Sequence, residues 1–318
     1  FGMGASALLV ATTQGPWSMA AALTLLGAFS SIYHPVGIPM LVQGARNPGI
    51  TIGFNGLVGN LGIAIAALVT GVLVKYFGWR MAFALPGLLS LAAGVAFLMV
   101  APRETEPPAK RASKVVSLPR SVMLRIVMIM TATAITGSLL FNFTTNGNGQ
   151  LMSERFAGIV NDPATIGLLL AAVYAIASVA QVIVGRLIDR YPLKRIYVGI
   201  VMCQAPLLLL AAHAQGWWMF LLMIAIMVSI FGAIPFTDAM VVRYVDDRMR
   251  SRVSGIRIAV SFGVSSLAVW ALGPLVKASG FQWLLLLMAG IALVTLACAL
   301  LLPDASQTNP IAAKPEAA

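Results

Sequence analysis

Few side chains in this chain could do chemistry, and their spacing limits what it could be. His34 stands deep in an apolar run and is followed by Pro35. If that run crosses a bilayer, an ionisable group at such depth is a functional candidate, and histidine changes charge near neutral pH. The same position suits a neutral ring bonded to a backbone carbonyl freed by the kink at Pro35, and both readings stand. Asp238 closes another apolar run and can carry a proton or pair with Arg243. Asn142, Thr144, Asn146, Asn148 and Gln150 make the end of a third run polar, as cavity lining or as a solvated loop. Gln181 and Gln204 read as polar glue between helices.

Other chemistries lack their residues. His34 and His213 are far apart, so no HExxH or HxxxH pair exists. Cys203 and Cys298 lie in separate apolar runs with no CxxC spacing. There is no GxxxxGK[ST] phosphate loop and no paired set of acids inside the apolar runs. An enzyme is not expected, nor a cofactor, a metal or a nucleic-acid partner.

The elements that must position these residues are membrane helices. Of 318 residues, 59% are hydrophobic and 10% charged, with a mean hydropathy of +0.92. Soluble domains carry about 25% charged residues. Apolar runs of bilayer-spanning length recur, which predicts an all-α polytopic membrane protein. A β-barrel is excluded, because its strands would be short and alternating. Nine full spans are expected, at about Trp17–Leu41, Ile50–Val74, Trp79–Val100, Val122–Thr145, Ala164–Gly185, Ile196–Ala214, Trp217–Val241, Val253–Val276 and Phe281–Leu302. A partial one covers Phe1–Thr13. Residues 102–121 are Pro-rich and charged, a linker between an N-terminal bundle (1–101) and a C-terminal bundle (122–303). Residues 304–318 form a small polar tail, expected to be disordered.

Charge sets the orientation. The net charge is +11, and only Lys75, Arg80, Arg155 and Lys277 of the 21 Lys and Arg fall on one set of alternate connections. The other 17 place the linker and C-terminus in the cytoplasm, for a multi-pass protein of the cell membrane. Trp17, Trp79, Trp217, Trp218 and Trp283 fall at the opposite ends, as an interfacial belt would.

The chain also repeats itself. An offset of 202 residues sets Gly53 against Gly255 and Gly71 against Gly273. It sets Leu73, Val74, Lys75 and Gly78 against Leu275, Val276, Lys277 and Gly280. A matched Gly, Lys, Gly pattern at a helix end is hard to obtain from chance alignment of apolar helices. Similar offsets bring His34 opposite the segment from Phe236 to Ala239. Extrapolating the repeat places roughly 80 residues upstream of Phe1. The chain is thus expected to be a fragment of a twelve-span protein, lacking two spans and part of a third.

Two six-helix halves in parallel repeat, joined by a basic linker, resemble the major facilitator superfamily. At residue level, Gly185-Arg186-Leu187-Ile188-Asp189-Arg190-Tyr191-Pro192-Leu193-Lys194-Arg195 resembles the family's loop motif G-x-L-x-D-R-x-G-R-[RK], with Pro192 replacing the second Gly. Gly78-Trp79-Arg80 resembles a further common family feature. Tyr33-His34-Pro35 resembles a stretch of the fosmidomycin-resistance-type exporters, although Val36 stands where an acid is usual.

The resemblance implies roles. Counted as in twelve-span relatives, the first full span here is the fourth. Spans one, four, seven and ten then line the cavity, making His34, Tyr33, Asn142, Asn146 and Asp238 candidates for the substrate or proton pathway. Gly185, Asp189 and Arg190 form a conformational latch, with Asp189 held by the N-terminus of span eleven and by Arg243 or Arg257. Small residues let membrane helices approach closely. Asn55, Gly59 and Gly62 on span five, and Gly255, Gly263 and Gly273 on span eleven, are therefore expected to pack those two spans together across the halves.

The resemblance implies a secondary transporter, expected to act as a monomer on a small solute by alternating access. Proton-coupled efflux of a drug-like or amphiphilic compound is favoured. Proton-coupled metabolite uptake is the alternative, and a non-transporting receptor or scaffold a minor one. A strongly anionic substrate would need an Arg or Lys in the cavity; none is visible mid-membrane in these helices, and the missing first span could supply one.

Overall fold

The computed structural model describes residues 1–42, 45–100, 120–246 and 249–303. Most of the expected linker and all of the tail beyond Pro303 lie outside these residues. In chain order the helices are α1 (Gly2–Thr12), α2 (Pro16–Ser30), a π-helical turn (Tyr33–Gly37), α3 (Ile38–Val42), α4 (Pro48–Phe77) and α5 (Met81–Val100). After the linker come α6 (Arg120–Arg155), α7 (Pro163–Arg190), α8 (Leu193–Ala211), α9 (Gly216–Tyr244) and α10 (Arg250–Leu300).

Among the described residues, eight helical segments are long and apolar enough to cross a membrane, counting α2 through α3 as one. The 51-residue α10 is two helices joined at Gly280, where the backbone takes φ 77° and ψ 169°. A Cβ is disfavoured there, so glycine lets the chain reverse. Gly78, at the end of α4, takes φ 82° and ψ 164°. The two glycines are repeat mates, and nearly the same backbone break ends both helices. Divided at Gly280, the segments make the nine spans read from the sequence.

Pro35 accounts for the π-helical turn. Proline has no N–H and its ring crowds the carbonyl one turn back, so the helix widens locally. α6 differs from expectation in the other direction. The helix runs ten residues past Thr145, through Gly147 and Gly149 to Arg155, instead of breaking. Asn142, Thr144, Thr145 and Asn146 each bond a carbonyl one turn back on α6, which satisfies their polar groups within the helix.

Large apolar side chains cover the outer surface, including Phe97, Leu98, Met99 and Trp270, as lipid requires. Buried apolar groups are concentrated in α6–α10. One cluster gathers Phe156, Tyr174, Phe231 and Phe281, and a second gathers Ile126, Tyr197, Phe236 and Tyr244 nearer the Arg-rich face.

α4 packs most extensively against α7, and the first part of α10 packs against the π-helical turn. Direct packing of span five on span eleven is therefore corrected. A parallel repeat puts its two mates on opposite sides of the central cavity, so α4 meets α7 and not its own counterpart. The glycines follow the same logic. Gly59, Gly62, Gly263 and Gly273 face open space. Gly255 lies against Pro35. The close approach of α4 to α7 is made by Gly49, Gly53 and Gly56, against Gly185 and Gln181.

Candidate functional site: a cavity between the repeats and a clasp beside it

A cavity of about 570 Å³ lies between the two halves. Tyr33 and His34 line it from the π-helical turn, and Asn55, Gly59 and Asn60 from α4. Asp238 comes from α9 and Arg257 from α10. Much of the remaining wall is apolar, with Ile63, Leu140, Phe141, Ile230 and Phe262. Its size is that of a pocket for a small molecule.

His34 is exposed within this geometry, its ring edge-on to Tyr33 at 5.5 Å between centroids. The Tyr33 hydroxyl donates to Asn55 Oδ1 at 2.5 Å, tying the π-helical turn to α4. Extra width in a helix at a functional position is a recurring use of π-bulges. Asn55 is thus a cavity residue, not a packing residue. Asn142 and Asn146 are absent from the wall; their amides turn back onto their own helix.

Asp238 is buried, and its partner is Arg257, not Arg243. Arg257 Nη2 donates to Asp238 Oδ1 at 2.6 Å, and the two side chains are 7% and 10% exposed. This overturns two expectations. Arg257 does not hold Asp189, and the cavity does contain a cation. The sequence places Arg257 only seven residues past Arg250, close to a basic loop. Seven residues of helix rise about 10 Å, enough to carry its guanidinium into the cavity wall. Arg243 is exposed on the last turn of α9.

Around the pair sits a set of polar groups that sequence reading treated as glue or passed over. The fully buried Gln181 has no partner for either amide atom, and Gln204 Oε1, Asn60 Nδ2 and Ser261 Oγ have none either. Gln204 Nε2 donates to the Ser229 carbonyl at 3.2 Å. A lone glutamine in an apolar run is a weak signal. Only the helix pairing shows that Gln181 faces Gly56, where an added Cβ would overlap its amide oxygen.

The latch residues form a clasp, but on a different helix from the one expected. Asp189 Oδ1 accepts from the Gly49 N–H at 2.8 Å, and Oδ2 from the Ile50 N–H at 2.9 Å. These are orphan donors of the first turn of α4, at the positive end of its dipole. Gly185 and Gly49 make this approach possible, since a Cβ on either would overlap the other's backbone. Arg190 ends α7 and is exposed. Ile38, Val42 and Ile52 form an apolar cluster, with Val242 of α9 packed against it. Clasp and cluster close the halves together on the Arg-rich side of the cavity. Gly49 precedes the cavity residue Asn55 by six positions, about 9 Å along the helix.

A family model described as the Major Facilitator Superfamily matches residues 1–160 and residues 139–318. Similar solved structures include the E. coli fucose:proton symporter FucP in a variant form, at TM-score 0.69 and 12% identity, covering 95% of this chain and 81% of that one. The human organic anion transporter MFSD10 (TETRAN) superposes at TM-score 0.68 and 15% identity, over 94% and 74% of the two chains. FucP in the outward conformation gives 0.67 and 12%, over 95% and 80%. No curated protein sequence matches the chain significantly. At such identities the structural likeness speaks for the fold alone.

Proposed function

Because the chain belongs to the Major Facilitator Superfamily, and is thus a multi-pass membrane protein with a secondary-transporter fold, we propose that it moves a small amphiphilic solute through the cavity between its repeats, coupled to protons. The observation that supports this is the pairing of a cavity walled by both halves with a closure on its Arg-rich side. The Asp189 clasp and the Ile38–Val42–Ile52 cluster shut the Arg-rich side. Rocking of the halves breaks these contacts and opens that side.

The charge bias puts the Arg-rich side, the linker and the C-terminus in the cytoplasm of a cell membrane. The closed side is then the cytoplasmic one. The mostly apolar wall favours export of an amphiphile. The Asp238–Arg257 pair favours a second reading, uptake of a polar metabolite. His34 and Asp238 are the proton-carrying candidates of the cavity.

The test is reconstitution of the protein in proteoliposomes with a pH-sensitive dye inside. A panel of amphiphilic amines, neutral amides and organic acids is added on either side under an imposed proton gradient. Solute-dependent proton movement supports the reading, and its direction decides between export and uptake. Solute flux with no proton movement removes the coupling, and no flux of any compound removes the transporter.

A further inference from the structure

We propose that the cavity takes a small organic acid, whose carboxylate is received by Arg257 while its apolar body lies against the rest of the wall. This rests on the transporter reading and specifies the substrate class of the same cavity.

Arg257 is the carrier of the argument. Its side chain is 7% exposed, and it lines the cavity. A guanidinium stays protonated in proteins and offers five N–H donors. Asp238 occupies Nη2 alone, at 2.6 Å. Nε and Nη1 are buried without a partner. A permanent charge with unmet donors is costly in a buried setting, because its lost hydration is only partly replaced. Nη2 carries a second N–H and belongs to both forks of the guanidinium, so a carboxylate in the cavity can accept that N–H together with the parallel one from Nη1 or Nε.

The neighbouring groups agree on the sign. Ser261 lies one turn beyond Arg257 on α10, and its hydroxyl is buried and unpartnered. Gln181 lines the same cavity, and its amide N–H₂ and amide oxygen are both buried without a partner. Against these stand the unpartnered acceptors Gln181 Oε1 and Gln204 Oε1, and Asp238, the one acidic side chain among the described residues of the wall, which is already engaged. The unpartnered donors Asn60 Nδ2, Gln181 Nε2 and the two Arg257 nitrogens outnumber those acceptors, which favours an acid over an amine. Phe141, Ile230 and Phe262 leave room for an apolar body.

The experiment measures binding to the purified full chain in nanodiscs by calorimetry. The probes are phenylacetate and 4-phenylbutyrate, each beside its neutral amide, with phenethylamine as the cation. In the parent, each carboxylate should bind about tenfold or more tightly than its amide, and the amine weakest. Arg257→Gln with Asp238→Asn removes both charges while keeping shape and hydrogen bonding. It should bring carboxylate and amide within about twofold of each other. Arg257→Lys keeps the charge without the fork, and covers the case in which the double variant does not fold. It should lose most of the carboxylate preference.

Equal affinity for acid and amide in the parent overturns the proposal, and so does binding of neither or a preference that survives the substitutions. Counterflow of the same probes in proteoliposomes reads the transporter separately. Carboxylate binding without counterflow sinks the transport reading alone, and counterflow of the amides without carboxylate preference sinks the proposal alone.

Discussion

The two repeats put different chemistry on the two sides of one cavity. On the first, Pro35 opens a π-helical turn, and His34 and Tyr33 reach the cavity from it. On the second, Pro235 is absorbed within the continuous helix α9, and Asp238 is buried against Arg257. The helices that follow differ as well. α4 has its first turn capped by Asp189 and three glycines pressed on α7, whereas α10 meets the π-helical turn with Gly255 against Pro35. A symmetric scaffold thus carries an accessible ionisable group on one side and a neutralised, desolvated pair on the other. Pairing is required where water is excluded, and the wider turn leaves His34 without that requirement.

The largest effect expected from this contrast is on stability. Asp238→Ala or Arg257→Ala leaves the other charge buried and unpaired, at a cost of about 3–5 kcal/mol. His34→Ala, at an exposed position, should shift unfolding by under about 0.5 kcal/mol. Thermal unfolding in detergent compares the three directly. A similar loss at all three positions would remove the distinction between the two sides.

The next effect separates the glycines that touch from those that do not. Gly185→Val forces a branched side chain against the Gly49 carbonyl, an overpacking that costs about 1–3 kcal/mol. Gly59→Ala and Gly62→Ala add a methyl to open space on a helix and should be neutral or stabilising by up to about 1 kcal/mol. If Gly59→Ala destabilises as much as Gly185→Val, the α4–α7 contact is not where the halves are held.

These pairs also show what a sequence of this kind discloses. Span positions and the break at Gly280 follow from local causes, apolar length and a repeated Gly, so they are readable along the chain. The motif identified Asp189 and Gly185 as a joint. Its partner was misassigned to span eleven, because a partner depends on which helices a two-fold arrangement brings together. Arg257, at the start of span eleven, reads along the chain as a cytoplasmic-side cation for the same reason. Depth in the bilayer and the helix face decide whether such a residue is solvated, and neither is written in composition. His34 was legible because a lone histidine in an apolar run is anomalous wherever the run is placed.

The clasp gives a smaller effect, on rate. Asp189→Asn keeps one acceptor but removes the charge from the α4 dipole and from two N–H bonds, worth about 1 kcal/mol. Loosening a contact on the Arg-rich side, away from the cavity wall, should change transport rate by roughly fivefold and leave substrate affinity within about twofold. Rate and affinity, measured on the same proteoliposomes, decide it. An equal fall in both would place Asp189 in substrate binding, although it lies outside the cavity wall.

The smallest and most specific effect is at His34. His34→Gln keeps a hydrogen-bonding side chain of similar reach but cannot gain a proton. His34 lines the cavity edge-on to Tyr33, and Tyr33 is itself tied to Asn55. The substitution should therefore leave the fold and downhill exchange intact. Gradient-driven accumulation should be lost, because a solute would then move without its proton. The measurement is accumulation against downhill exchange in everted vesicles over several pH values. If the variant matches the parent in both, the Tyr33–His34 contact is structural and proton carriage falls to Asp238. That assignment makes its own demand, since Asp238 must release Arg257 when it takes up a proton. The contrast between the two repeats would then lie in packing alone.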